Sequence, residues 1–326
     1  MSHPFKFGVM TNGGQNVADA IALAKRVESL GYEGIYYNDH YAGPGPAMTS
    51  ANHAPQQLAA IPLAAAVAMA TDDLIIGFRV LCIDYHNPVV LAKELATLGE
   101  ISGGRVDVGL GAGWITAEYE AMNVPLDPPG KRIERLGDVV TLMRQCFAGV
   151  PVNVDGKTGV AAHGFTAVPP LLRQPPITIG GGGPKVLQLA ARVADIIAFN
   201  VDNRSGKLAP ENVERTKAGP TLEKVALIRA AAGDRFDSIE LEIGAHFVFV
   251  TDDVDSVTSG LAAMTHGMFA MSKEDTLAHP HAIIGDVEDI IDTIVQRRET
   301  FGFSRVTVLE HNVDAFAPVV ERLAGT

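Results

Sequence analysis

Short apolar runs alternate with longer segments in which apolar residues recur every three or four positions, from one end of the chain to the other. Phe7-Gly8-Val9-Met10 predicts a first strand. Behind it Val17, Ile21, Ala24, Val27 and Leu30 share one helical face, with Asn16 placed as N-cap and Gly31 as stop. Gly34-Ile35-Tyr36-Tyr37 predicts the second strand, followed by a Gly/Pro-rich loop (Gly43 to Pro46) and an Ala-rich helix from Pro55 to Thr71. Leu74 to Leu81 is the third strand. Asn87-Pro88 opens the next helix with a cap and a proline suited to the first turn, and Leu91, Leu95, Leu98 and Ile101 form its stripe.

The alternation continues with a fourth strand at Val106 to Leu110 and a helix marked by Ile133, Leu136, Val140, Met143 and Phe147. Pro176 to Ile179 predicts the fifth strand, Pro184 to Ala194 a helix, and Ile196 to Phe199 the sixth strand. A helix over Leu222 to Ala232 leads to Ile239–Val250, which contains the seventh. Asp286 caps a helix through Ile290, Ile294 and Arg298 that stops at Gly302, and Arg305 to Leu309 is the eighth strand. Eight strands separated by helices predict an α/β fold: a single (β/α)8 TIM barrel spanning 1–326 as one domain. A doubly wound sheet also alternates, but eight units in 326 residues favour closure. Two intervals exceed one helix, Ala148 to Gln174 and Thr251 to Gly285, so insertions are expected after strands 4 and 7. The first reads as a small hairpin; the second carries Met264, Met268 and Met271.

Composition narrows the function. Against 38 acidic residues stand 26 basic ones, a net charge of −12 with no basic run, which argues against nucleic-acid binding. No stretch approaches the ~18 apolar residues of a membrane helix. The start, Met1-Ser2-His3-Pro4-Phe5-Lys6-Phe7, lacks the pattern of a signal peptide. Two cysteines, Cys82 and Cys146, make no disulfide framework, so a cytoplasmic location is expected.

In a barrel the active site lies at the C-terminal ends of the strands. Gly180-Gly181-Gly182-Gly183-Pro184 joins a strand to a helix there, and reads as an anion site or as a tight turn. Four glycines exceed what a turn needs, favouring a phosphate. Lys185-Val186 does not complete a P-loop. Gly109-Leu110-Gly111-Ala112-Gly113-Trp114 fails the dinucleotide fingerprint, because Trp114 stands where glycine is required; it reads as one wall of a flat-ring pocket or as a core tryptophan beside a turn. Asp39-His40 follows the second strand. His40 is placed to move a proton near neutral pH, or is an ordinary loop histidine with Asp39 capping a turn. His279-Pro280-His281 lacks a matching ligand set, and no metal site is expected.

Taken together these motifs resemble the bacterial luciferase-like monooxygenase superfamily. The matching stretches are Phe7-Gly8-Val9, Ala24-Lys25-Arg26-Val27-Glu28-Ser29-Leu30-Gly31-Tyr32, Asn38-Asp39-His40, Asn87 to Leu98, Gly103-Gly104-Arg105, Gly109 to Trp114, Ile179 to Pro184, Ala190 to Asp195 and Ile284-Gly285-Asp286. Around Gly111 to Trp114 the chain is most similar to the branch that uses coenzyme F420, an 8-hydroxy-5-deazaflavin. The resemblance implies a deazaflavin-dependent oxidoreductase acting on a small-molecule substrate, with FMN and a two-component monooxygenase as the alternative and a non-catalytic cofactor-binding barrel as a third reading. It implies Val80, Leu81 and Cys82 behind the ring, in a stretch where the family often bulges with a non-proline cis peptide. It further implies that Asn38 would contact the cofactor, that Gly111, Ala112, Gly113 and Trp114 would line the ring's other edge, and that Gly180, Gly181, Gly182 and Gly183 would hold the phosphate with Phe199 and Asn200 adjacent. By the same resemblance His40 would be the proton donor or acceptor, and Asp39 would contact the ring or order His40. Asp84-Tyr85-His86 departs from the family's Arg-His-Pro, so a basic cofactor contact is expected to be missing. Substrate-pocket residues are expected from Gly43–His53 and Met264–Met271, and a homodimer through the region of Leu91, Leu95 and Leu98.

Overall fold

The computed structural model describes residues 3–167, 171, 173–265, 267 and 269–326. Eight parallel strands form the barrel: β1 (Lys6–Thr11), β2 (Gly34–Tyr37), β3 (Ile75–Phe78), β4 (Val106–Gly111), β5 (Ile177–Gly181), β6 (Ile196–Phe199), β7 (Glu240–Ala245) and β8 (Phe303–Leu309). Each pairs with the next, β8 returns to β1 through Phe7↔Val306 and Val9↔Val308, and β3 meets β4 at Ile76↔Val106. The sheet is therefore closed, as the count of units predicts. Helices α1 (Val17–Ser29), α2 (Ala60–Ala68), α3 (Pro88–Ile101), α4 (Pro129–Phe147), α5 (Pro184–Val193), α6 (Ala218–Ala232), α7 (Val287–Phe301) and α8 (Val313–Leu323) cover the outside.

The helix ends follow local chemistry. Asn16 accepts the Asp19 N–H at 3.0 Å, Asn87 the N–H groups of Val89 and Val90, and Asp286 that of Asp289 at 2.9 Å. Gly302 ends α7 in the left-handed region at φ 84°. The Ala-rich helix is shorter than its composition suggests, starting at Ala60 rather than Pro55. Pro62 fits a first turn but would break a helix interior. The stripe Leu91, Leu95 and Leu98 is buried to within 2% exposure against the barrel wall. It therefore offers no surface to a second copy, and the homodimer expected through it loses that interface.

Both expected insertions are present, and a third was not foreseen. Pro151–Asp155 and Ala161–Thr166 form an antiparallel hairpin between α4 and β5. After β7 the chain breaks at His246, and Phe247–Val250 leaves the barrel to pair in parallel with Ala282–Gly285. The run Ile239–Val250 is thus two strands. The unforeseen excursion, 200–217 after β6, carries the short helix Pro210–Glu214.

The barrel interior is packed with paired charge rather than left open. Arg305 meets Glu33 at 3.1 Å and Asp107 at 3.4 Å, and Tyr36 donates to Asp107 at 3.1 Å. One layer nearer the C-terminal ends, Arg79 pairs with Glu242 at 2.6 Å, and Thr307 donates to the same carboxylate. Buried charges persist in such a position only when paired in this way. Among the described residues no helix is long and apolar enough to cross a membrane.

Candidate active site

A cavity of about 980 Å³ opens at the C-terminal ends of the strands. Asn38, Asp39, His40, Val80, Cys82, Gly111, Ala112, Gly113, Trp114, Gly180 to Gly183 and Asn200 all line it. Leu81 and Phe199 do not. Leu81 is fully buried in the wall, and Phe199 packs edge-on against Phe303 with ring centroids 5.0 Å apart, so both are core residues. Only the Phe199 carbonyl is used, accepting from Arg79 at 3.3 Å.

His40 is oriented by a residue outside every motif. Its Nδ1 lies 2.8 Å from Oε2 of Glu118, a carboxylate with no solvent exposure on the short helix Thr116–Ala121. Glu118 also accepts the N–H groups of Tyr41 and Ala42 at 2.8 and 3.1 Å and the Tyr85 hydroxyl at 3.2 Å. Burial alone would raise this carboxyl. The His40 bond and charge and the two backbone donors outweigh it and hold Glu118 below the ordinary glutamate range. An ionised Glu118 accepts, so Nδ1 of His40 donates and Nε2 is left for chemistry. Asp39 does not order His40: its Oδ2 accepts the Cys82 N–H at 2.9 Å and pairs with His86 Nε2 at 2.8 Å. Its other oxygen is buried with no partner among the described residues.

The departure Asp84-Tyr85-His86 is absorbed structurally. Asp84 pairs with Arg135 at 2.5 Å and accepts from Tyr119, Tyr85 reaches Glu118, and His86 braces Asp39. Between β3 and the two-residue strand Leu81–Cys82 the Arg79–Val80 peptide is cis. This bulge presses on β4, where a Cβ at Gly109 would stand 1.8 Å from the Phe78 carbonyl, so glycine is obligatory there.

The glycine tract divides into two roles. A Cβ at Gly182 would lie 2.4 Å from the Asn200 carbonyl, so this glycine serves the contact between the β5 and β6 loops. Gly183 is different. As N-cap of α5, at an ordinary φ of −87°, it faces open space, with Asp202 4.0 Å away as the nearest atom a Cβ would meet. No side chain caps this helix, and Lys185 in its first turn also lines the cavity. Uncapped N–H groups, the helix dipole and a lysine are the chemistry that can receive an anion. Asn200 accepts from Val201 at 2.9 Å and His246 at 3.2 Å through its amide oxygen, which leaves its NH₂ for a ligand.

Three loops roof the cavity and are joined to one another. Leu208 donates its N–H to the Ala51 carbonyl at 3.0 Å, Asn52 reaches the Leu208 carbonyl at 3.1 Å, and Thr116 donates to Gly206 at 3.4 Å. Met48, Ala51 and Ile115 are buried together beneath them. His53, at the end of the expected Gly43–His53 segment, does line the cavity. The Met264–Met271 segment does not: Met264 is exposed, Met271 packs on the satellite core around Phe269, and Met268 lies outside the described residues. Loop 200–213 lines the cavity in its place. His279 and His281 are buried beside His246, and no metal-ligating cluster is found among the described residues.

Sequence reasoning missed Glu118, His246, the Arg79–Glu242 pair and Arg132, which lines the cavity and donates to the Ala112 and Gly113 carbonyls. The one available signal was for Glu118, an acidic residue four positions after Trp114.

A model of the luciferase-like monooxygenase family matches residues 1–305. An F420-dependent glucose-6-phosphate dehydrogenase of Microbacterium testaceum is 29% identical over 197 residues, 60% of this chain and 56% of that protein. The chain thus spans about half the length of such curated relatives. A 5,10-methylenetetrahydromethanopterin reductase of Methanolobus tindarius is 24% identical over 317 residues, 95% of this chain and 85% of its own. Among solved structures, an F420-dependent secondary alcohol dehydrogenase in complex with an F420-acetone adduct superposes with a TM-score of 0.72 at 20% identity, covering 97% of this chain and 98% of that one.

Proposed function

The chain belongs to the luciferase-like monooxygenase family, and on that premise we propose that it is a coenzyme F420-dependent oxidoreductase passing hydride between the deazaflavin and a small or medium organic substrate. The observation that carries this reading is His40, fixed by a buried, ionised Glu118, in the lining of one cavity shared with the uncapped, glycine-built start of α5.

The residues present fit the group. Gly183 and the first turn of α5 would take its phosphate, helped by Lys185. Val80 from the bulge would back the ring, with Cys82 and Gly111 to Trp114 at its edge. Asn38, the free oxygen of Asp39 and the Asn200 amide would meet its polar rim. When bound, the deazaflavin supplies the ring carbon that exchanges hydride with the substrate. The chain's own part is the proton. His40 Nε2 takes it from a substrate hydroxyl or returns it to a carbonyl, while Glu118 stabilises the imidazolium and keeps the ring aimed. The roof loops exclude water from the exchange.

Titrating the purified protein with each cofactor tests this. Saturable quenching of F420 fluorescence without FMN retention is expected. FMN retention with flavin-dependent O₂ consumption would instead make the chain a monooxygenase component. Binding of neither would leave a barrel without this chemistry.

A further inference from the structure

The cofactor reading leaves the substrate open, and relatives of the chain act on chemically different molecules. The charges and rings lining the cavity narrow it, provided that reading holds. Four cations line the cavity. Arg79 is neutralised by Glu242 at 2.6 Å, and Arg204 by Asp202, through Nε at 3.0 and 2.9 Å. Arg132 spends its Nε and one terminal nitrogen on the main-chain carbonyls of Asp127, Ala112 and Gly113. Lys185 has no ion-pair partner among the described residues, and it stands at the glycine cradle, where the cofactor's phosphate would use it.

Around His40 the cavity lining gathers rings. His53 lies with its centroid 4.4 Å from that of His40 and 5.7 Å from Trp114, and His40 is 6.5 Å from the indole. The Nδ1 of His53 is 2.8 Å from the Ala54 carbonyl, which can only accept, so Nδ1 carries the proton and Nε2 is a bare acceptor. Burial, and secondarily the neighbouring His40, push His53 down to about 4, so it is uncharged at neutral pH. A phosphate placed here would lose its hydration against the bare His53 acceptor and the ionised Glu118 behind His40. Arg132, already tied to three main-chain carbonyls, is the cation left among the described residues to offset that cost.

We propose that the compartment bounded by His40, His53 and Trp114 takes an uncharged, ring-bearing alcohol or ketone in preference to a phosphorylated sugar. In the alcohol direction the O–H proton would pass to His40 Nε2 as the C=O double bond forms, and the hydride leaving the carbinol carbon would be taken up by the bound deazaflavin. Ketone reduction is the reverse.

Trp114 is the chain's single tryptophan, so in the cofactor-free protein its emission reports this compartment, and with F420 bound each titration is read against the emission of the loaded protein. The protein, with and without bound F420, is titrated with cyclohexanol, cyclohexanone and glucose 6-phosphate at low and high salt. The cyclic alcohol and ketone are expected to quench Trp114 saturably and without salt dependence, and glucose 6-phosphate to leave it unchanged. His53→Ala, on a surface loop, should weaken cyclohexanone binding about three- to tenfold through lost ring contact, with an unaltered melting temperature. Saturable, salt-sensitive quenching by glucose 6-phosphate, absence of quenching by both uncharged probes, or wild-type affinity in His53→Ala would overturn the assignment. Failure of F420 to bind would sink the cofactor reading instead, while the titration of the free protein still reports on the compartment.

Discussion

The functional unit at the residue scale is a histidine with its carboxylate. Removing a positioned acid–base group typically costs 10²–10⁴-fold in rate. His40→Asn should therefore lose turnover by about that factor while deazaflavin affinity stays within several-fold; unchanged turnover would show that His40 only packs. Glu118 makes a different prediction. Its carboxyl is held below the ordinary range, so its interactions are complete above that range and are lost as pH falls through the depressed value. Glu118→Gln keeps an acceptor but removes the charge that favours the imidazolium, so kcat should fall with deazaflavin affinity held within several-fold, and the acid-side loss that follows protonation of Glu118 should disappear from the profile. A purely structural Glu118 would lower the melting temperature and leave that acid-side loss in place. His40 was legible because it follows a strand directly. Its partner lies 78 residues away, and no spacing rule reaches across βα units to find it. The glycine tract was legible as a tract but not in its division of labour. Gly182→Ala should damage the β5–β6 loop contact and lower the melting temperature. Gly183→Asp adds a favourable N-cap and should fold at least as well as wild type, yet should abolish cofactor binding by setting a carboxylate against the phosphate. Unchanged F420 affinity in Gly183→Asp would remove the phosphate from this loop.

Among the elements, the eight strands and the first seven outer helices could be read from periodicity because each buries one face on its neighbour. Helix α8 (Val313–Leu323), with a proline inside it, was not expected. Caps at Asn16, Asn87 and Asp286 stand where the side chains say they should. What could not be read were the places where tertiary contacts decide, such as the bulge that splits the third strand at Arg79–Val80, the exit of Phe247–Val250 from the barrel, and the excursion after β6. The stripe of α3 illustrates the ambiguity. An apolar face at helical spacing packs on a wall or on a second copy, and burial assigns Leu91, Leu95 and Leu98 to the wall. Leu95→Ala should accordingly cost about 2–5 kcal/mol of stability with no change in molar mass by light scattering. A change in mass without loss of stability would return the stripe to an interface.

For the whole molecule, acid should be destabilising in a way set by buried imidazoles. Burial pushes His246 to about 3, His279 to about 4 and His281 well down, each from an ordinary value near 6.5. Below ~6.5 the unfolded chain takes up protons that the fold refuses, so stability falls with pH until the folded values are reached, by about 1.4 kcal/mol per pH unit for each histidine. Unfolding midpoints measured from neutral pH to 4 should trace this slope, and His279→Gln should flatten it by one histidine's share; a slope unchanged by the substitution would place the acid sensitivity elsewhere. The roof over the cavity has a consequence of another kind. Its three loops follow different strands, yet their backbones are tied at Ala51–Leu208 and Gly206–Thr116 and share one small core around Met48. In a barrel whose loops stood apart, each could be exchanged singly and a new specificity assembled piece by piece. Here a graft of one loop from a relative leaves the other two without their partners. The catalytic face is inherited as a set, and libraries that shuffle it should recover folded, active chimaeras only when the loops after β2, β4 and β6 come from the same parent.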